Sequence, residues 1–146
     1  MLKPAFLAVG LALSVAGCAG SNWETAYEQV DPAQSANWRL ASVQVSAPAT
    51  LTTSDVDGYT PDFDIVWHGE PAGDRHAQAA AIIKEGIERG ARSALNGRQG
   101  VRVVATITQF HAITPTVRRM HTVGVHNIQY TVQVFDARSG AARTEP

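Results

Sequence analysis

The chain has a single cysteine, and its setting gives that thiol a chemistry. Cys18 closes the tetrapeptide Val15-Ala16-Gly17-Cys18, an aliphatic residue and two small residues before a thiol, which is the form of a bacterial lipobox. In that reading the sulfur takes a diacylglycerol thioether, the chain is cut just before it, and the freed amine is acylated. One acyl chain holds only weakly, at about 0.8 kcal/mol per buried methylene, whereas two or three make a lasting anchor. The residues upstream agree. Lys3 supplies a positive start, Ala5 to Ala16 form an uncharged apolar run, and Gly17 and Ala19 keep the junction small. That run falls short of the roughly 20 residues a membrane-spanning helix needs. Residues 1–17 are therefore expected to be a lipoprotein signal peptide, with Cys18 lipidated. The alternative is a plain secretory signal beside a chance cysteine. Ala19, where an aspartate would favour the inner membrane, points to an outer-membrane anchor facing the periplasm.

Other groupings offer polar chemistry. Gly73-Asp74-Arg75-His76 stands where a helical pattern begins. Free amides and the helix dipole favour an anion at such a place, and Arg75 adds a bidentate donor. Asp74 competes for the same amides as an N-cap, with Arg75 then tied to a neighbouring carboxylate. Arg118, Arg119 and His121 make a basic tip on a long connection, suited to lipid headgroups, to a partner, or simply to water. Arg75, His76, Arg118 and Arg119 are thus the candidate anion or partner contacts. The histidines raise the question of zinc. His111, His121 and His126 lie 10 and 5 residues apart, and His68 and His76 straddle a Gly/Pro loop, without the tight local spacing zinc ligands usually show. No metal site and no cofactor are expected. None of the serines sits in a Gly-x-Ser-x-Gly elbow. The acidic stretch Asp55, Asp57, Asp62, Asp64 lacks calcium-loop spacing, and no glycine loop for phosphate is present. The expectation is a protein that is not an enzyme.

Composition narrows the classes further. Loss of residues 1–17 leaves 129 residues with a formal charge of −2, enough for one domain with a modest core. Such a chain has no electrostatic claim on nucleic acid. With no second cysteine for a disulfide in an oxidising compartment, stability must come from packing.

The elements that would position these residues follow from periodicity. Gly20 to Asn37 is small and polar, so residues 18–37 read as a tether. Ala41, Val43 and Val45 alternate with Ser42, Gln44 and Ser46, a half-buried strand. Asp64 to His68 gives a second, short strand. Ala79, Ile83, Ile87, Ala91 and Ala94 recur at helical spacing, with Ile82 and Leu95 widening the stripe. Gly86 and Gly90 suggest close approach of that helix to a sheet, and Asn96-Gly97 a left-handed stop. Val101 to Phe110 and Val125 to Phe135 alternate apolar and polar residues. Ala112 to Gly124 joins them. One apolar and one polar face per strand suggests antiparallel pairing. The expected fold is α+β: a two-layer sandwich over residues 38–146, one main helix packed on a small, mostly antiparallel sheet. The turn Asp136-Ala137-Arg138-Ser139-Gly140 leads toward a further strand, which is either very short or cut off at Pro146.

Several motifs together carry a resemblance. The lipobox, Trp23-Glu24-Thr25, Asp64-Ile65-Val66-Trp67, Gly73-Asp74-Arg75-His76-Ala77-Gln78, Gly124-Val125-His126-Asn127-Ile128-Gln129 and Asp136-Ala137-Arg138-Ser139-Gly140 look like an uncharacterised family of alphaproteobacterial lipoproteins, a domain of unknown function. The resemblance implies an address and a fold and no activity. The expected function is a lipid-anchored envelope lipoprotein, a non-enzymatic interaction or accessory module that offers a sheet edge or loop tips to an envelope protein. The alternative is a periplasmic lipoprotein that binds a small ligand or metal through its histidine-bearing hairpin. A hydrolase is third.

Overall fold

The structure is a computed structural model and describes residues 30–59, 62–120, 124 and 126–146. The expected signal peptide, Cys18 and most of the expected tether lie outside the described residues. In chain order the elements are α1 (Pro32–Ser35), β1 (Trp38–Ser46), β2 (Thr53–Ser54), β3 (Ile65–Val66), α2 (Arg75–Ala94), β4 (Gln99–His111), α3 (Pro115–Arg119) and β5 (Asn127–Asp136). The short helix α1 falls within the stretch expected to be tether. It is capped by Asp31, which accepts from the Ala33 amide, and Gln34 Nε2 donates to the Arg143 carbonyl at 3.2 Å.

Helix α2 begins as the sequence suggests. The Asp74 carboxylate accepts from the Ala77 amide at 3.1 Å, satisfying one of the free donors of the first turn. Ala79 and Ile83 are buried against Ile65, Ile107 and Phe110, while Glu85–Arg89 and Glu88–Arg92 pair in solvent at i, i+4 spacing. The glycines behave differently from expectation. A Cβ on Gly86 or Gly90 would meet nothing within 4 Å, so neither mediates close approach to the sheet. The helix ends through Leu95 in extended conformation. Gly97 serves for close approach instead: a Cβ there would lie 2.0 Å from the Asn37 backbone.

The sheet overturns the expected strand directions. Among the described residues it has five strands and is mostly parallel. Strand β4 pairs in parallel with β1 and with β3, β3 pairs in parallel with β2, and only β5 runs antiparallel to β4. Since β5 lines one edge of β4 along Val101–His111, β1 (opposite residues 99–106) and β3 (opposite 110–111) share the other edge. The cause is the connection. Helix α2 carries the chain back to where β1 starts, the Gly97 amide donates to the Trp38 carbonyl at 2.7 Å, and β4 sets out alongside β1 in the same direction. A strand–helix–strand crossover yields a parallel pair whatever the face pattern of its strands. Alternation reports burial on one face, not direction.

Two bulges adjust which face each side chain meets. The register of β1 on β4 slips between Leu40 and Ser42, so Ala41 is exposed while Trp38, Leu40, Val43 and Val45 line the inner face. The register of β4 on β5 slips between Ile107 and Gln109. The extra residue, Thr108, lets Phe110 rejoin Val101, Val103, Ala105 and Ile107 in the core.

Candidate functional site

Strand β5 is where this fold leaves itself unfinished. Ile128, Tyr130 and Val132 stand opposite Phe110, Ile107 and Ala105 of β4. Opposed residues of an antiparallel pair share a face, so these three belong to the apolar side of the sheet. Helix α2 packs chiefly over β1 and β3, away from Ile128, Tyr130 and Val132. Tyr130 is therefore 42% exposed while Ile107 opposite it is 0%, and Ile128 and Val132 are exposed with it. Only Val134, nearer the β1 side chains Trp38 and Val43, is buried.

The backbone of β5 is open along the same stretch. The Val134 carbonyl accepts from the Arg143 amide at 2.7 Å, and its amide donates to Thr144 Oγ1 at 3.0 Å. The returning chain, bridged at Phe135–Ala142 after a turn with Gly140 at φ 74°, covers this end of the edge. With the two-residue period of a strand, the amide and carbonyl groups of Val132, Tyr130 and Ile128 point the same way as those of Val134. Among the described residues no further strand lies along them. From Asn127 to Phe135 the strand has no charge, no proline and no glycine, so it lacks the devices that usually protect an edge.

Asp136 fixes the closed end. Its Oδ1 accepts from the Arg138 and Ser139 amides and the Ser139 hydroxyl, and its Oδ2 accepts from Gln99 Nε2 and Arg143 Nη2, both at 2.8 Å. These donors, the Ser139 amide foremost, hold its carboxyl far below the usual carboxylate range.

The candidate residues read from sequence do not form one site. Arg75 is buried, with Nε 2.7 Å from Asp55 Oδ1 and Nη1 donating to Gln78 Oε1 and to the Glu70 and Pro71 carbonyls. It pins the start of α2 to the preceding loops. His76 bonds through Nε2 to the Leu51 carbonyl at 2.9 Å. Arg119 is held by Asp57 Oδ2 at 2.9 Å and Thr116 Oγ1 at 2.8 Å. Asp57 also accepts from the Thr116 amide, the main reason its carboxyl titrates low. Arg118 is exposed on the same short helix. Of the histidines, His111 bonds to the Phe63 carbonyl and His126 Nδ1 accepts from the Ile113 amide. His121 lies outside the described residues. No group of three or more metal-ligating side chains forms among the described residues.

Sequence reasoning missed a second feature. A shallow pocket of about 500 Å³ opens where β1 and β4 begin and β5 ends, and Arg39, Arg98 and Arg138 line it. These residues are far apart in the chain and share no motif. Only the parallel register of β1 on β4 brings the first two together.

Among the described residues no helix is long and apolar enough to cross a membrane. No curated protein and no solved structure matches the chain. Residues 38–146 do match a family, described as a family of unknown function (DUF6778), and to that family this chain belongs.

Proposed function

We propose that this chain is a lipid-anchored module of the cell envelope, held through Cys18, facing the periplasm from the outer membrane, and acting without catalysis by adding an extended segment of an envelope protein to β5. What carries the reading is the edge itself. The amides and carbonyls of Ile128, Tyr130 and Val132, which no strand among the described residues pairs, coincide with three exposed apolar side chains on an uncharged strand. Strand addition uses both: main-chain hydrogen bonds hold the segment, and alternate side chains choose it. The matching segment is uncharged and rich in β-branched residues, since a charge laid on the Ile128–Tyr130–Val132 stripe would lose water without gaining a counter-ion.

The lipobox supports the address and the open edge supports the activity, so each is tested separately. Mass spectrometry of the mature protein is expected to find a diacylglyceryl Cys18 at the N-terminus; a bare thiol or a retained leader overturns the anchor. A photo-crosslinker placed at Thr131 is expected to trap one protein in intact cells. The same probe at Arg89, on the solvent side of α2, is expected to trap none, and Cys18→Ala is expected to reduce the Thr131 product. Equal products from both positions overturn strand addition at β5.

A further inference from the structure

We infer that the pocket at the strand ends binds a phosphate group, held by Arg39, Arg98 and Arg138. The site lies on the face of the sheet away from α2 and uses none of the atoms proposed for strand addition, so it stands or falls separately. Its floor is made of small residues. Gly100 sits opposite Arg39 in the register of β1 on β4. A Cβ placed on it would lie 3.5 Å from Ala137 Cβ, 3.7 Å from Ala41 Cβ and 3.8 Å from Arg39 Nη2. The bulge at Ala41 and the absent side chain of Gly100 thus leave a dent in an otherwise pleated surface, with the Arg39 guanidinium at its rim.

Charge accounts for the ligand class. Among the described residues, Arg75, Arg89, Arg92, Arg119 and Arg143 each pair with a carboxylate. The three pocket arginines pair with none. The one carboxylate in the lining, Asp136, is ion-paired with Arg143 at 2.8 Å, outside the pocket's own three arginines. Three uncompensated guanidinium groups around one concavity are matched by a compact anion of charge near −2 with several acceptor oxygens. Planar forked donors meet phosphate oxygens two at a time. A phosphate monoester has that charge and shape. It is found on a lipid headgroup and on a free phosphate compound alike, and the shared group is what the pocket recognises.

The test uses the full chain in a maltoside detergent, with the backbone amides of Gly100 and Ala137 followed by NMR. The probes are inorganic phosphate and short-chain phosphatidic acid, with sodium chloride at matched ionic strength as the blank. Saturable shifts of both amides are expected with at least one probe. They are expected to weaken by about tenfold or more in the triple variant Arg39→Ala, Arg98→Ala, Arg138→Ala, whose exposed side chains leave the melting temperature unchanged. Saturation by both probes identifies a free phosphate group as sufficient, and saturation by phosphatidic acid alone identifies a headgroup. Should the triple variant not fold, Arg98→Gln alone is read, with about threefold weaker binding expected. Shifts that never saturate, that equal those in sodium chloride, or that persist undiminished in the arginine variants overturn the inference.

Discussion

Strands β4 and β5 look alike in sequence and fare differently in the fold. Both alternate apolar and polar residues, and they lie side by side on the same sheet. Yet Val101, Ala105 and Ile107 of β4 are fully buried, whereas Ile128, Tyr130 and Val132 of β5 face solvent. The difference lies outside either strand. Helix α2 covers the β1–β4–β3 side of the sheet and leaves Ile128, Tyr130 and Val132 exposed. An apolar face is buried only where another layer reaches it, and the part left over is surface on which a partner can act.

The opposed pair Ile107 and Tyr130 gives the sharpest way to break this contrast. Ile107→Ala is expected to cost about 2–5 kcal/mol, the range for emptying a filled core site, while Tyr130→Thr costs at most about 1 kcal/mol. Urea denaturation of both variants measures the two, and equal losses would mean that β5 is buried as deeply as β4. Next in size is Arg75→Met, expected to cost about 2 kcal/mol because the Glu70 carbonyl, Gln78 Oε1 and Asp55 lose their donor, while the Pro71 carbonyl keeps that of Gln78 Nε2. A Tm unchanged from the parent would return Arg75 to the list of residues free to bind a ligand.

Acid separates the two ends of β5. Asp136 at the closed end, together with Asp57 and Asp64, is held below the usual carboxylate range by hydrogen bonds that need its charge. A carboxyl depressed in the folded state contributes stability above its unfolded value of about 3.9, and that contribution is lost as pH falls through the folded value. The urea midpoint is therefore expected to hold steady from about pH 7 to 5 and to fall below about pH 4. Asp136→Asn should be less stable at neutral pH and should flatten the fall. An Asn variant with the parent's acid profile would remove Asp136 as the clamp.

Smaller still, Asp74→Ala is expected to cost about 1 kcal/mol through loss of the N-cap, read as a lowered Tm. Last comes Thr131→Lys, on the polar face of β5. It should change stability by no more than about 0.5 kcal/mol and yet abolish partner crosslinking from a neighbouring probe, because a lysine on an edge opposes strand addition. Undiminished crosslinking would detach the partner from the edge.

Much of the local structure was legible in the sequence. The helical stripe from Ala79 to Ala94, the Asp74 cap and the alternation of β4 can be read from residue types alone. Strand direction cannot, since a half-buried parallel strand and a half-buried antiparallel strand carry the same pattern. The order of elements held the better clue: a 20-residue helix between β1 and β4 is the crossover that parallel neighbours require. The bulges at Ala41 and Thr108 left no sign either, because one extra residue in a strand has no composition of its own. The pocket arginines are 59 and 40 positions apart, so nothing local announced them. Arg75 drew attention by standing beside Asp74 at a helix start and proved to be a structural pin. Arg39 and Arg98 drew none, being ordinary charges until the register of β1 on β4 set them side by side.

Thr108 faces solvent, and almost any side chain would serve there as well as its own. What matters is that the ladder steps past it. Excising it would leave Ile107 inward, Gln109 outward and Phe110 inward, the plain alternation of an unbulged strand, with Phe110 still opposite Ile128. Position 108 thus acts as slack: loss of the residue is expected to be tolerated as readily as its replacement, whereas ironing it back into the ladder would turn Phe110 outward and His111 inward.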